Sequence, residues 1–213
     1  MKKVLFAGLG AAVMLAGPVL AQDTQTIPVE AFDRIDAGGG FELDVVAGDT
    51  PSVRLIGDAD DFEDIEVEVR NGRLEIDQDS GFFSRRRSLD VVVEVTTTGL
   101  DELDFNRGIR ARVSGLDADA LELDVSTGAS ARVSGACTVL EIDSSTGGYL
   151  DASELVCEDV DASASTGADI RTHATQSVSA RASTGGSVRV YGNPSAYEFR
   201  TSMGGSARLL GEG

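Results

Sequence analysis

Hydroxyl side chains beside a glycine recur through the second half of this sequence, and hydroxyl groups can act as nucleophiles or carry sugars. The triplet Ser-Thr-Gly occurs at residues 126–128, 145–147, 165–167 and 183–185. A nucleophilic serine needs a base within hydrogen-bond distance, so a catalytic copy should differ from the others in its surroundings. Because the copies are alike, no single hydroxyl group is predicted to be catalytic.

Other catalytic groups are scarce. The sequence contains one histidine, His173, and its only lysines are Lys2 and Lys3. It has no nucleophile elbow, zinc motif or phosphate-binding loop. The acidic run at residues 58–64 could offer oxygen ligands to Ca²⁺, but it lacks the spacing of a calcium loop and is interpreted as a solvated turn or the start of a short helix. We therefore predict no catalytic, metal-binding or cofactor-binding residue, and no enzyme.

One loop combines aromatic and basic residues and is the candidate contact surface. Its members are Phe82, Phe83, Arg85, Arg86 and Arg87. Aromatic and arginine side chains dominate the energetic centres of protein interfaces. The alternative is that the phenylalanines pack onto the fold while the arginines neutralise nearby carboxylates.

The spacing of the glycines indicates which elements must position these groups. Six equivalent glycines, separated by 20, 19, 20, 18 and 19 residues, are Gly108, Gly128, Gly147, Gly167, Gly185 and Gly204. Each is followed by apolar and polar residues in strict alternation, which is typical of a strand with one buried face. Such strands stack as coils about 4.8 Å apart. The pattern predicts an all-β, right-handed parallel β-helix (β-solenoid) with coils of about 19 residues.

The turn residues and an exposed column complete this prediction. Glycine supplies the positive φ of each corner, and the Ser and Thr hydroxyl groups are expected to bond backbone groups there. One column of the strands points into solvent and consists of Arg112, Arg132, Asp151, Arg171, Arg189 and Arg208. We interpret it as balanced by neighbouring carboxylates, the alternative being a ladder for anionic polymers.

The N-terminal third lacks the triplet but is also predicted to be β. Residues 41–45, 53–55 and 89–95 read as strands, and residues 65–76 form a hairpin around the Asn-Gly turn at residues 71–72. These strands are expected to form the first wall of the solenoid or a sheet that caps it, because an open terminal coil leaves an unprotected edge.

The two cysteines lie at nearly equivalent places on successive coils. Cys137 follows Gly128 by nine residues, and Cys157 follows Gly147 by ten. In-register stacking would bring their Cα atoms to bridging distance. In an oxidising compartment we predict a disulfide between them, the alternative being two buried free thiols.

The N-terminus predicts export. Residues 1–21 combine Lys2 and Lys3 with an apolar run and small residues before Gln22, which is typical of a cleavable signal peptide. A retained membrane anchor is the alternative. Residues 22–29 are predicted to be a short linker and residues 30–213 a single domain, divided into N-terminal strands (30–98) and coils (99–213). The expected location is periplasmic, associated with the outer surface, or extracellular.

Charge restricts the partners. The formal net charge is −18, and losing Lys2 and Lys3 with the signal peptide makes it −20. Such an acidic protein repels phosphate backbones and anionic membranes, which argues against nucleic acid as a partner. No later apolar stretch is long enough to span a bilayer. An envelope protein or a glycan remains as the expected partner class.

Three of these features together resemble a known family. The segment at residues 32–41 (FDRIDAGGGF), the Asn71-Gly72 hairpin and the Gly-Ser-Thr-rich coils resemble the GIN domain, the head domain of auto-transporter adhesins (a DUF2807-type family). The resemblance covers roughly residues 30–210. It implies a secreted or envelope-associated β-helix of Gram-negative and related bacteria, and it brings no catalytic residues with it.

The predicted function is therefore a secreted or cell-envelope, non-enzymatic binding module of adhesin type. Two alternatives stay open. One is a carbohydrate-active β-helix, a lyase or hydrolase, suggested by architecture alone. The other is an envelope scaffold that assembles through its stacked ends.

Overall fold

The protein is a β-solenoid. The computed structural model describes residues 22–79 and 88–211, and they form about six turns of about 20 residues each, which confirms the predicted β-solenoid. Within these residues the elements follow the order β1 (Asp23–Ile27), β2 (Arg34–Gly38), β3 (Glu42–Ala47), β4 (Ser52–Gly57), α1 (Ala59–Phe62), β5 (Ile65–Arg70), β6 (Arg73–Gln78), β7 (Val91–Thr97), β8 (Glu102–Asn106), β9 (Arg110–Val125), β10 (Ser130–Ser144), β11 (Tyr149–Ala164), β12 (Asp169–Ala182), β13 (Ser187–Tyr191), β14 (Ala196–Thr201) and β15 (Ser206–Gly211).

Each coil contributes one segment to each of two parallel stacks. Wall A contains β7, β3, the first segments of β9 to β12, β13 and β15. Wall B contains β6, β2, β8, the second segments of β9 to β12, and β14. The long strands change wall at irregularities in the pairing, such as the shift between Val133 and Gly135.

In-register pairing stacks equivalent inward residues into columns. One column of wall B runs through Phe105, Val125, Ser144, Ala164 and Ala182, all buried. Side-chain volume falls along it, so the core near the N-terminal coils is filled by large side chains and the later coils by small ones. Because protein interiors are closely packed, side chains of such different size require coils of different width.

Both central residues of each corner adopt a left-handed backbone, whereas the sequence predicted this for glycine alone. Thr127 has a φ of 50° and Gly128 a φ of 74°, and the other corners repeat these values. This is a type I′ turn. Its ends are joined by the Ala129 N–H, which donates to the Ser126 carbonyl oxygen at 3.0 Å.

Backbone groups also link neighbouring corners. The Gly128 N–H donates to the Thr146 carbonyl oxygen of the next coil at 3.1 Å, and Gly147 repeats the bond to Thr166. The expected hydroxyl bonds are not formed, since none of the corner Ser and Thr hydroxyl groups among residues 126–202 makes a side-chain hydrogen bond. The corners are therefore held by backbone hydrogen bonds, and the Ser and Thr hydroxyl groups do not contribute to them.

The N-terminal third supplies both coils and a cap. Strands β2, β3, β6 and β7 are parallel members of the walls, and β7 lies centrally between β3 and β4. Strands β1, β4 and β5 pair antiparallel at the outside. Residues 23–27, which the sequence assigns to a linker, form strand β1 against β4 and therefore belong to the sheet.

Coil order differs from chain order at this end. The coil made by β2 and β3 lies between the β6–β7 coil and the β8–β9 coil. The chain therefore forms the β2–β3 coil first. It then forms the β6–β7 coil on the outer side of that coil, and afterwards the β8–β9 coil on its opposite side.

Helical structure is minor. Helix α1 has four residues, and the Asp58 carboxylate at its start accepts from the Asp60 N–H at 3.1 Å. Residues 59–62 of the acidic run thus form a short helix, which is one of its two predicted interpretations, and Asp61 and Phe62 are buried rather than solvated. Among residues 22–79 and 88–211, no helix is long and apolar enough to cross a membrane.

Candidate functional site

The outer surface of wall A carries two adjacent columns of polar side chains. The first consists of Glu42, Arg110, Ser130, Tyr149, Asp169, Ser187 and Ser206, and the second of Asp44, Arg112, Arg132, Asp151, Arg171, Arg189 and Arg208. The second column contains the arginine column predicted from the repeat, in the predicted register. Successive members are about 4.8 Å apart, the spacing of paired strands.

Only some of these arginines are neutralised within the protein. The ion pairs of the two columns are Arg112 with Asp44 at 3.0 Å, Arg171 with Asp151 at 3.5 Å and Arg189 with Asp169 at 2.7 Å. Arg110, Arg132 and Arg208 are exposed and have no ion-pair partner among the described residues. The interpretation of the column as charge-balanced is therefore correct for Arg112, Arg171 and Arg189 and wrong for Arg132 and Arg208.

Three arginines meet at one place on wall A. Arg110, Arg112 and Arg132 line a shallow cleft of about 170 Å³, which we call the arginine cleft; its other polar lining residues are Glu42, Asp44, Ser130 and Tyr149. Arg112 and Arg132 face each other directly on adjacent coils. At one end of the cleft the guanidinium of Arg171 lies 5.7 Å from the centre of the Tyr149 ring. The cleft thus offers cationic donors, carboxylate acceptors and an aromatic ring.

The outer surface of wall B is acidic instead. Its two columns contain consecutive carboxylates on successive coils, namely Asp36, Asp104, Asp124 and Asp143 in one and Glu102, Glu122, Glu141 and Asp161 in the other. Arginines meet these columns near the ends, where Arg73 pairs with Glu102 and Arg181 with Asp161, each at 2.7 Å. Among the described residues, no arginine forms an ion pair with Asp124 or Asp143 in the middle of the aspartate column.

Burial and neighbouring carboxylates raise the pKa of two members of the aspartate column. Partial burial, followed by the charges of Asp104, Asp143 and Glu122, raises the pKa of Asp124 from 3.8 to about 6. Burial, together with Asp104 and Asp77, also raises the pKa of Asp36. Because the folded-state pKa of Asp124 lies above its unfolded value, the folded protein holds this proton more tightly. Its contribution to stability is therefore present at low pH and is lost as the pH rises from about 4 to about 6.

This shift predicts a stabilising substitution. Asp124→Asn should increase the free energy of unfolding at pH 7.5 by about 1 kcal/mol, a value reduced from the full shift because water screens the half-buried column. At pH 4 the effect should largely vanish, since the wild-type carboxyl is then protonated in the folded state. Chemical denaturation at both pH values tests this. Asp169→Asn, which breaks the pair with Arg189, is the control and should be neutral or destabilising; a destabilising Asp124→Asn at pH 7.5 would contradict the prediction.

Sequence reasoning did not identify the acidic surface, although a signal for it was present. The motif Glu-(Leu/Ile)-Asp occurs at residues 42–44, 75–77, 102–104, 122–124 and 141–143. The last three copies are 20 and 19 residues apart, which is the coil period, so they must stack with their carboxylates on one side. The motif alone does not indicate the wall, since the copy at residues 42–44 lies on wall A.

The other predicted site residues are placed as follows. Cys137 pairs with Cys157 in the register of β10 and β11, with Cα atoms 4.5 Å apart and the sulfur atoms bonded to each other. The loop residues Phe82, Phe83 and Arg85 to Arg87 lie outside the described residues, as does the proposed signal peptide. His173 is half-buried on wall A, and its Nδ1 lies 3.3 Å from the Ser153 carbonyl oxygen.

Solved structures share this fold. A putative adhesin from Bacteroides fragilis superposes with a TM-score of 0.72 at 20% identity, over 91% of this chain and 99% of that one. A putative adhesin from Parabacteroides distasonis gives 0.55 at 16% identity, over 89% and 97%. A putative lipid binding protein from the same organism gives 0.50 at 16% identity, over 90% and 98%. At these identities the likeness concerns the fold alone.

No curated protein matches this chain in sequence. A family profile does match it, over residues 31–194, and its description is "putative auto-transporter adhesin, head GIN domain". The match includes the Asn71-Gly72 hairpin and four of the Ser-Thr-Gly corners, as the sequence resemblance implied. The chain therefore belongs to the DUF2807 family of adhesin-like GIN domains.

Proposed function

We propose that this protein is an exported, non-enzymatic binding module that contacts its ligand through the outer surface of wall A. One observation carries the proposal: Arg110 and Arg132 are exposed diagonal neighbours on β9 and β10, without an ion pair to any described residue, on a protein that is otherwise strongly acidic. Cations left unpaired among so many carboxylates are best explained by an external anion. The adhesin description of the family supports a binding role at the cell surface.

Rigidity makes wall A suited to binding. Its side chains stand on paired strands rather than loops, so little conformational entropy is lost when a ligand orders them. Stacked coils also present an extended surface, which is how repeat proteins commonly bind.

The experiment compares binding and turnover. The protein from residue 22 onward is applied to a glycan array and to polysaccharide-coated surfaces, beside the variant Arg110→Gln/Arg132→Gln. The matched control is Arg181→Gln/Arg200→Gln, which removes the same charge from wall B. We expect saturable binding by the wild type and the control, and strong loss in the wall A variant.

Two results would overturn the proposal. Absence of binding to any surface or glycan would remove the binding function. Release of new reducing ends or unsaturated sugars from a polysaccharide would identify an enzyme, which is the alternative suggested by the fold class.

We also propose that the loop with Phe82, Phe83 and Arg85 to Arg87 adds to the contact surface. The flanking strands support this, because β6 ends and β7 begins on the side of the solenoid where the Ser-Thr-Gly corners lie. Replacing the five residues by Ser should weaken binding in the same assays without changing the thermal midpoint. Unchanged affinity would show that the loop is not part of the surface.

A further inference from the structure

We infer that the arginine cleft binds a carboxylate-bearing sugar unit of an acidic polysaccharide, a polyuronate. The inference rests on the proposed binding function and names its ligand class. The chemistry of the side chains that line the cleft supports it.

The three guanidinium groups of the arginine cleft favour a ligand that carries a carboxylate. Arg112 and Arg132 lie opposite each other on adjacent strands, and Arg110 lies two residues from Arg112 on the same side of β9. Asp44 satisfies part of the charge of Arg112, at 3.0 Å, and leaves Arg110 and Arg132 unsatisfied. A planar carboxylate accepts two parallel N–H bonds from one guanidinium. One such group between the arginines would also relieve their mutual repulsion.

The two carboxylates in the same cleft favour a ligand that also carries hydroxyl groups, as a sugar does. Glu42 and Asp44 line the cleft beside the arginines, and as ionised acids they can only accept hydrogen bonds. A sulfate or a fully ionised phosphate group offers no donor to them and would be repelled. A sugar ring offers hydroxyl donors next to its own carboxylate, so it can satisfy both kinds of lining group at once.

Tyr149 and the overall charge narrow the class further. Tyr149 provides a hydroxyl group and an aromatic ring; the Arg171 guanidinium lies over one face of the ring, 5.7 Å from its centre, so the apolar face of a sugar can rest only on the other face. The net charge of −20 from residue 22 onward repels every polyanion, and it repels most strongly the chains of highest charge density, such as double-stranded nucleic acid and densely sulfated polysaccharides. A polyuronate carries one charge per ring.

The test uses oligogalacturonates of defined length as the probe, titrated calorimetrically in calcium-free buffer at low and moderate salt. The wild type should bind, and Arg110→Gln/Arg132→Gln should weaken binding by about tenfold or more, since two charge-assisted contacts are lost. The control Arg181→Gln/Arg200→Gln should stay within about twofold of the wild type. The fully methyl-esterified oligomer, which lacks the charge but keeps the ring, should not bind.

Each contrary outcome has a distinct meaning. Equal binding of the esterified oligomer, or retained affinity in the wall A variant whose thermal midpoint is unchanged, overturns the assignment of the carboxylate to the arginine cleft. No oligogalacturonate binding, while array binding still depends on Arg110 and Arg132, overturns the ligand class and leaves the proposed function standing. Binding to nothing on the array or in the calorimeter overturns both.

Discussion

Replacing Cys137 and Cys157 together by Ala is expected to lower the free energy of unfolding by about 3 kcal/mol. The bridge closes a loop of 20 residues, one whole coil, at the centre of the solenoid. Without it, the unfolded chain gains the entropy of that loop, while the folded register changes little because the strand pairing continues on both sides. For a domain of this size the loss corresponds to a fall in thermal midpoint of roughly 6–12 °C.

Reduction provides the control. Wild-type protein treated with a reductant should melt close to the double variant, and the double variant should not respond to the reductant. Mass spectrometry of the protein recovered from an oxidising compartment should find both thiols oxidised. Two free thiols, or equal melting of the oxidised and reduced wild type, would contradict the prediction.

Gly148→Ala is expected to destabilise the protein far more than Gly147→Ala, although Gly147 is the repeated corner residue. A methyl group on Gly147 would have open space around it, so its cost is the left-handed backbone, about 1–2 kcal/mol. A methyl group on Gly148 would lie 2.1 Å from the Val125 carbonyl oxygen of the preceding coil. Backbone must move to admit it, which costs about 3 kcal/mol or more.

Thermal and chemical denaturation of the two single variants measure this difference directly. Gly167→Ala is a further control, because Gly167 also has open space and already has Ala168 after it. It should behave like Gly147→Ala. Equal destabilisation by Gly147→Ala and Gly148→Ala would show that the coils can shift apart at the corner and that the close contact is not limiting.

The sequence alone determined the architecture of the coils, because the spacing of the repeat gives the length of each coil. Equal spacing of the Ser-Thr-Gly triplets forces each coil to turn at the same place, and alternation of apolar and polar residues decides which side chains point inward. The same register brought Cys137 to Cys157 and stacked the arginine column. Membership of the GIN family followed from these local features, since the hairpin and corners are short-range patterns.

Only the tertiary structure decided what depends on contacts between distant segments. Placement of the β2–β3 coil between two later coils leaves no trace in local periodicity. The left-handed Thr in the four Ser-Thr-Gly corners arises from the type I′ turn, which a triplet containing one glycine does not require. The crowding beside Gly148 depends on the preceding coil.

The charge balance of the candidate site is also a feature that only the tertiary structure decided. Arg112 and Arg132 were visible as a column, but whether each was neutralised depended on carboxylates from other coils, such as Asp44 on β3. The same holds for the raised pKa of Asp124, which arises first from its burial in the stack and then from the charges of Asp104 and Asp143 on the neighbouring coils. Charge balance is a property of neighbours in space, and in a solenoid those neighbours are one coil away in the stack, which is not always one coil away in the chain.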